Sequence, residues 1–142
     1  MDAYKVLLGE ILIQRKRITR EQLDAALSKQ KEKGGFVGEI LCNMGLLDER
    51  DIVVALVIQC GLPYIAVNKY AIDHEIVALI PKEVAQKEKI IALDRIGEIL
   101  SVVMINPLTD DKKNYLESLT KCRIATFIST KAEIEEAIAR NY

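Results

Sequence analysis

The sequence predicts an α+β chain: an N-terminal helical repeat of two helical hairpins, packed with a small three-stranded sheet covered by helices. Three observations carry this. Apolar residues recur at helical spacing through the first sixty positions, the pattern occurs there twice, and strand-length aliphatic runs bounded by turns follow in the second half. The division falls after residue 61, giving a duplicated helical motif over 1–61 and an α+β unit over 62–142.

The duplication shows when the chain is slid along itself by 29 residues. Leu8-Gly9-Glu10-Ile11-Leu12 then falls on Val37-Gly38-Glu39-Ile40-Leu41, Ile18 on Leu47, Leu23 on Ile52, Ala26 on Ala55, Leu27 on Leu56 and Gln30 on Gln59. Seven of these positions are identical, and the others stay apolar. Each copy reads as two short helices. In the first, Thr19-Arg20-Glu21-Gln22 is a capping box, in which the Thr hydroxyl accepts a first-turn N–H and the Gln side chain reaches back. The helix it opens lines up Leu23, Ala26, Leu27 and Gln30 on one face. In the second, Gly45 ends the first helix and Asp48 caps a helix that carries Ile52, Ala55, Leu56 and Gln59.

Neither hairpin can bury its stripe alone, so the copies should pack on each other. That explains the leucines, but not the matched glycines Gly9 and Gly38. Glycine inside a helix costs about 1 kcal/mol against alanine. Two such positions point to close approach by another part of the chain or by a ligand, and the pattern leaves both readings open. Gln30 and Gln59 fit a helix-end hydrogen bond or a polar ligand contact equally well.

The second half opens with Gly61-Leu62-Pro63, which breaks the helix, and a short extended stretch from Tyr64 to Val67. Asp73 can cap a brief helix through Leu79. Pro81 then suits the first position of a helix over Lys82 to Lys87, where a missing N–H is harmless. Ile90-Ile91-Ala92-Leu93 and Ile99 to Ile105 read as strands around a turn containing Asp94-Arg95-Ile96-Gly97, and Asn106-Pro107 stops the second. Thr109-Asp110-Asp111 opens a helix with Tyr115, Leu116 and Leu119. Arg123 to Ile128 is a third strand, and Thr130-Lys131-Ala132-Glu133 is another capping box for a last helix with Ile134, Ala137 and Ile138. No Pro/Gly/Ser-rich linker divides the halves, so they are expected to touch.

Composition narrows the function classes. With 20 basic and 21 acidic residues the formal charge is −1, a balance that does not call for a nucleic-acid partner, since such binders usually carry a basic surplus on one face. Arg15-Lys16-Arg17 reads as a solvated connector, with a phosphate or partner contact as the other reading. The longest apolar stretches, such as Ile52–Ile58, are far shorter than the ~20 residues of a membrane span, and no signal peptide is visible. The expectation is a cytoplasmic protein with no direct membrane insertion. Cys42, Cys60 and Cys122 are odd in number and widely spaced, and His74 is the sole histidine, so no metal site is expected. Cys42 and Cys60 read as buried thiols, Cys122 as the more exposed one.

No Gly-rich phosphate loop ending in Gly-Lys-Ser/Thr is present. Lys33-Gly34-Gly35-Phe36-Val37-Gly38 lacks the Lys-Ser/Thr and joins two helices. His74, beside Asp73 and Glu75, has no nucleophile pattern around it, and Glu135-Glu136 and Asp110-Asp111 read as solvated or first-turn acids. No catalytic residue is expected.

Over nearly its whole length the chain resembles the N-terminal domain of type II secretion and type IV pilus assembly ATPases (the general secretory pathway protein E N-terminal domain). The residues that carry this are the paired motifs Leu7-Leu8-Gly9 with Leu12, Ile18, Leu23, Leu27 and Gln30, and Phe36-Val37-Gly38 with Leu41, Leu47, Ile52, Leu56 and Gln59. In the second half they are Leu62-Pro63-Tyr64, Ile80-Pro81-Lys82-Glu83, Met104-Ile105-Asn106-Pro107-Leu108 and Ile134-Glu135-Glu136-Ala137-Ile138. The resemblance implies a bacterial, non-catalytic regulatory and docking domain that contacts inner-membrane platform or motor proteins of a secretion or pilus machine. It would sit in the cytoplasm, peripheral at the inner membrane through a partner. ATPase activity would belong to a separate motor domain, and no cofactor is expected.

Some members of that family bind cyclic di-GMP across the paired 24-residue motifs. The alternative function the resemblance implies is therefore a cyclic-di-GMP sensor. Its ligand residues would be Leu7, Leu8, Gly9, Leu12, Leu23, Leu27 and Gln30 in one half-site, and Phe36, Val37, Gly38, Leu41, Ile52, Leu56 and Gln59 in the other. The family's motif opens with arginine, whose planar fork can pair two acceptors of guanine. Here Leu7 and Phe36 stand in those places, and Asn106 stands where an acid precedes Pro107. Lys5 and Lys33 lie nearby, but a lysine lacks the fork.

Overall fold

In a computed structural model of the chain the described residues are 3–105 and 108–142, with the side chains of 3–7, 59 and 60 left aside. The expected strand stop at Asn106-Pro107 lies outside them. The fold is α+β, with eight α-helices, one 3-10 turn and a three-stranded mixed sheet among the described residues. It forms two compact units, Met1–Gly61 and Leu62–Tyr142.

The first unit holds α1 (Ala3–Gln14), α2 (Arg20–Lys33), α3 (Val37–Asn43) and α4 (Glu49–Cys60). Capping boxes start α2 and α4: Thr19 with Gln22, and Asp48 with Asp51, each pair exchanging side-chain and backbone hydrogen bonds. The ends of α1 and α3 are built alike. Arg17 N–H donates to Leu12 O (2.9 Å) and Lys16 N–H to Ile13 O (2.9 Å), while Leu46 N–H donates to Leu41 O (3.2 Å) and Gly45 N–H to Cys42 O (3.0 Å). These are the paired bonds of a Schellman ending, which needs a left-handed residue. Gly45 supplies it at φ 76° and Lys16 at φ 59°. The repeat thus extends to backbone conformation, and the lysine adopts there what its glycine counterpart does more cheaply.

The hairpins α1–α2 and α3–α4 pack crosswise, α1 against α4 and α2 against α3. Exchanging the copies turns α1 into α3 and α2 into α4, so it maps the first contact onto the second. This is the signature of an approximate two-fold rather than of a solenoid, whose repeats touch only in sequence order. Leu12, Ala26, Leu41 and Ala55 are completely buried, and Leu56 nearly so.

The second unit begins with Tyr64 bridged to the end of the sheet, followed by a 3-10 turn (Val67–Lys69), α5 (His74–Val77) and α6 (Lys82–Glu88). Then come β1 (Ile90–Ile96), β2 (Ile99–Met104), α7 (Asp110–Thr120), β3 (Arg123–Ile128) and α8 (Lys131–Asn141). The sheet order is β1-β2-β3, with β1–β2 antiparallel and β2–β3 parallel. α7 is the crossover a parallel pair requires. Period-two alternation puts Ile90, Ala92, Leu100, Val102, Met104, Ile124 and Ile128 on one face, and all are buried.

Two boundaries differ from the sequence reading. β1 runs through Asp94-Arg95-Ile96, which read as turn, because a bulge between Ala92 and Asp94 restores the ladder beyond it. Pro81 is the N-cap of α6 rather than its first residue. Cys122 is also not exposed: it is 5% accessible, and its thiol donates to Thr120 O (3.3 Å).

Candidate functional site

The candidate site is the paired face of the first unit. Its geometry is set by where each repeat residue lands. Leu8, Leu12, Leu23, Val37, Leu41, Ile52 and Leu56 are buried, none more than 6% exposed. Leu27, Gln30 and Phe36 remain half-exposed. The side chains of Leu7 and Gln59 lie outside the described residues.

Both glycines face the second helix of their own hairpin. A Cβ on Gly9 would stand 2.7 Å from Leu23 Cδ2, and one on Gly38 would stand 3.2 Å from Ile52 Cδ1. The partners occupy equivalent places, each 14 residues after its glycine. Close helix packing therefore accounts for the glycines on the side that Cβ would occupy. Gln30 has a helix-end role: its Nε2 donates to Gly35 O (2.8 Å), tying the end of α2 to the turn before α3.

Charge breaks the two-fold. In the first copy Arg20 pairs with Glu10 (2.7 Å), and Arg17 reaches Asp51 of α4 (3.5 Å). The positions equivalent to Glu10, Arg17 and Arg20 are Glu39, Leu46 and Glu49. The second copy is thus the acidic one. Its acids surround Cys42, whose thiol is pushed up by burial first and then by Glu49, Asp48, Asp51 and Glu39. A thiol so placed stays protonated and is a poor nucleophile. The Arg17–Asp51 pair was not apparent from sequence, because the three-residue basic run carries no sign of which acid lies across from it.

Among the described residues no group of three or more His, Cys, Asp or Glu side chains could hold a metal ion, and no helix is long and apolar enough to cross a membrane. His74 is exposed at the start of α5.

A duplicated helical hairpin followed by a β-β-α-β-α unit makes the chain a small α+β domain. The sequence profile of the MshEN domain matches residues 60–142, more than half of the chain, and the chain belongs to that family. It is 33% identical over 135 residues to the type IV pilus assembly ATPase PilB of Myxococcus xanthus, covering 95% of this chain and 24% of that protein. It is also 33% identical over 137 residues to PilB of Thermus thermophilus, covering 95% of this chain and 15% of that protein. The chain therefore spans a quarter or less of these relatives. Among solved structures, that of MshE with the ligand cdg superposes with a TM-score of 0.76 at 25% identity, covering 95% of this chain and 98% of that one. The N-terminal domain of XpsE superposes with a TM-score of 0.82 at 19% identity, covering 98% and 96%. The chain is thus an MshEN-family domain related to part of the type IV pilus assembly ATPases, and it shares its fold with the N-terminal domain of XpsE.

Proposed function

We propose that this chain is a non-catalytic regulatory and docking domain of a type II secretion or type IV pilus ATPase system, making contacts with platform or motor proteins of the machine at the cytoplasmic side of the inner membrane. The observation that carries this reading is the use of the repeat. Eight motif aliphatics are buried in the first unit and both glycines lie against the second helix of their own hairpin, so the duplication serves as architecture. Leu7 and Phe36 at the arginine positions agree with it. The domain then works by presenting surfaces, without chemistry of its own.

A second reading is favoured by one specific finding, the likeness to MshE with cdg across nearly the whole chain. On this reading the approximate two-fold offers two half-sites to cyclic di-GMP, with Leu27, Gln30 and Phe36 as the half-exposed motif residues available to it. The apolar rims would stack on purine faces, and the guanine edges would depend on backbone groups in place of a guanidinium.

Calorimetric titration of the chain with cyclic di-GMP, with GTP as control, separates the two. Docking predicts no cyclic-dinucleotide heat up to high-micromolar ligand, together with retention of the purified cytoplasmic part of the platform protein on the immobilised chain. Micromolar binding of the cyclic dinucleotide alone would replace docking with the sensor reading, and the absence of both would refute each.

A further inference from the structure

The second unit carries an open pocket of about 170 Å³ between α6 and α7. Val84, Leu108 and Leu116 form its apolar lining, and Tyr115 stands at its side, 54% exposed. Leu119, one turn further along α7, is 39% exposed and extends the apolar strip. A surface helix normally turns its large apolar residues inward. Tyr115 and Leu119 depart from that, and they do so beside a concavity.

The polar rim is selective. Glu88 and Lys112 lie across the groove from each other and pair at 2.8 Å, Glu88 being the more buried partner. The one acid in the lining is thereby neutralised. Lys87 and the Tyr115 hydroxyl are left with no hydrogen-bond or ion-pair partner among the described residues. Both are donors, and a carboxylate is the group that satisfies an ammonium and a phenol together.

We infer that the α6–α7 groove is a docking site for an acidic, apolar-anchored segment of a partner protein: one large apolar side chain seats over Val84, Leu108 and Leu116, and a neighbouring carboxylate meets Lys87 and Tyr115. This rests on the docking reading above and gives it a place and a chemistry. The volume suits a single leucine- or phenylalanine-sized group rather than a nucleotide. The exposed pair Ile96 and Ile99 makes a weaker candidate surface, because the two are cross-strand partners that stabilise the hairpin end on their own account.

The test uses the full chain, labelled with ¹⁵N, and 4-phenylbutyrate as probe, with 4-phenylbutanol and 4-phenylbutylamine as neutral and cationic controls. The expected result is low-millimolar binding of the carboxylate, with shifts confined to α6, Leu108 and α7. Binding should be roughly fivefold or more weaker for the alcohol, as loss of a charge-assisted hydrogen bond implies. Lys87→Gln should bring the carboxylate down to the level of the alcohol without altering the rest of the spectrum. Equal binding of all three probes, shifts elsewhere, or an unchanged Lys87→Gln chain would overturn the inference. Platform-protein retention that survives Lys87→Gln combined with Tyr115→Ala would overturn the groove alone. A wild-type chain that retains no platform protein while still binding the probe would instead remove the docking reading.

Discussion

Gly9 lies directly against Leu23: a Cβ on that glycine would stand 2.7 and 2.8 Å from the two Leu23 methyl carbons, inside any normal contact. The equivalent approach, Gly38 to Ile52, is looser at 3.2 Å. The approximate two-fold is therefore uneven at its tightest point, and alanine at the two glycines should have unlike effects.

In each case alanine adds helix propensity worth about 1 kcal/mol. Against this stands overpacking, which costs about 1–3 kcal/mol where a buried neighbour must shift. Leu23 is 2% exposed and has little room to move. Gly9→Ala should lower stability by about 1 kcal/mol, and Gly38→Ala should leave it unchanged or slightly raised. Urea denaturation of the two variants checks this, and the reverse order would show that the glycines answer to something other than these two side chains.

Ser129 is 1% exposed and serves two backbone groups of the 64–70 segment. Its hydroxyl donates to Ile65 O and accepts from Val67 N–H (3.3 Å). Ser129→Ala leaves a buried donor and acceptor without that partner, at a cost of about 2 kcal/mol. The expected outcome is a lower denaturation midpoint with faster amide exchange at Val67. A midpoint within error of the parent would mean that water replaces the hydroxyl.

Much of this was legible in the sequence where short-range chemistry decides the structure. Thr19 and Thr130 announce their capping boxes by a Gln or Glu three residues on, and Gly45 announces a left-handed helix end. The 29-residue repeat pointed to the hairpins, because matching apolar stripes fold alike. Long-range facts were out of reach. Arg17 carries no sign of Asp51, and the bulge that carries β1 on to Ile96 depends on the partner strand. Lys16 was opaque too, since nothing in a basic run signals a positive φ. At the candidate site the sequence set Leu23, Ala26, Leu27 and Gln30 on one helix face. It could not separate those that the hairpins bury from Leu27, Gln30 and Phe36, because burial depends on how the copies cross.

The start of α4 should respond to acid. Asp48 accepts the Asp51 N–H (2.9 Å), and that backbone hydrogen bond is the main reason its carboxyl is held below the usual range near 3.8. A group with a lowered folded pKa stabilises above its unfolded value and loses that contribution as pH falls through the folded one. The stability that Asp48 provides should therefore be full at neutral pH and fade below about pH 4. Asn caps helices about as well as Asp and does not titrate. Asp48→Asn should thus lie at or below the parent at pH 7 and close on it, or pass it, by pH 3, as read from urea midpoints at both pH values. A gap that stays constant would place the acid response elsewhere.

Tyr142 governs the alkaline limb. Its hydroxyl donates to Ile80 O (2.7 Å) and lies 3.1 Å from Val77 O, which ties the end of α8 to the α5–α6 turn. Burial pushes its pKa from 10 up to about 12. The neutral phenol is thus the form the fold prefers: the contribution is complete below pH 10 and disappears as pH climbs from 10 through 12. Tyr142→Phe should lose about 1 kcal/mol at pH 7 with the hydrogen bond. Between pH 10 and 12 the parent should decline toward the variant, while lysines titrating in that window affect both chains alike and cancel in the difference. Thermal denaturation of the pair at pH 8, 10 and 11.5 measures this directly. Parallel curves would mean that the phenol ionises as freely in the folded chain as in the unfolded one, and that the α8–α5 tie is not held by its proton.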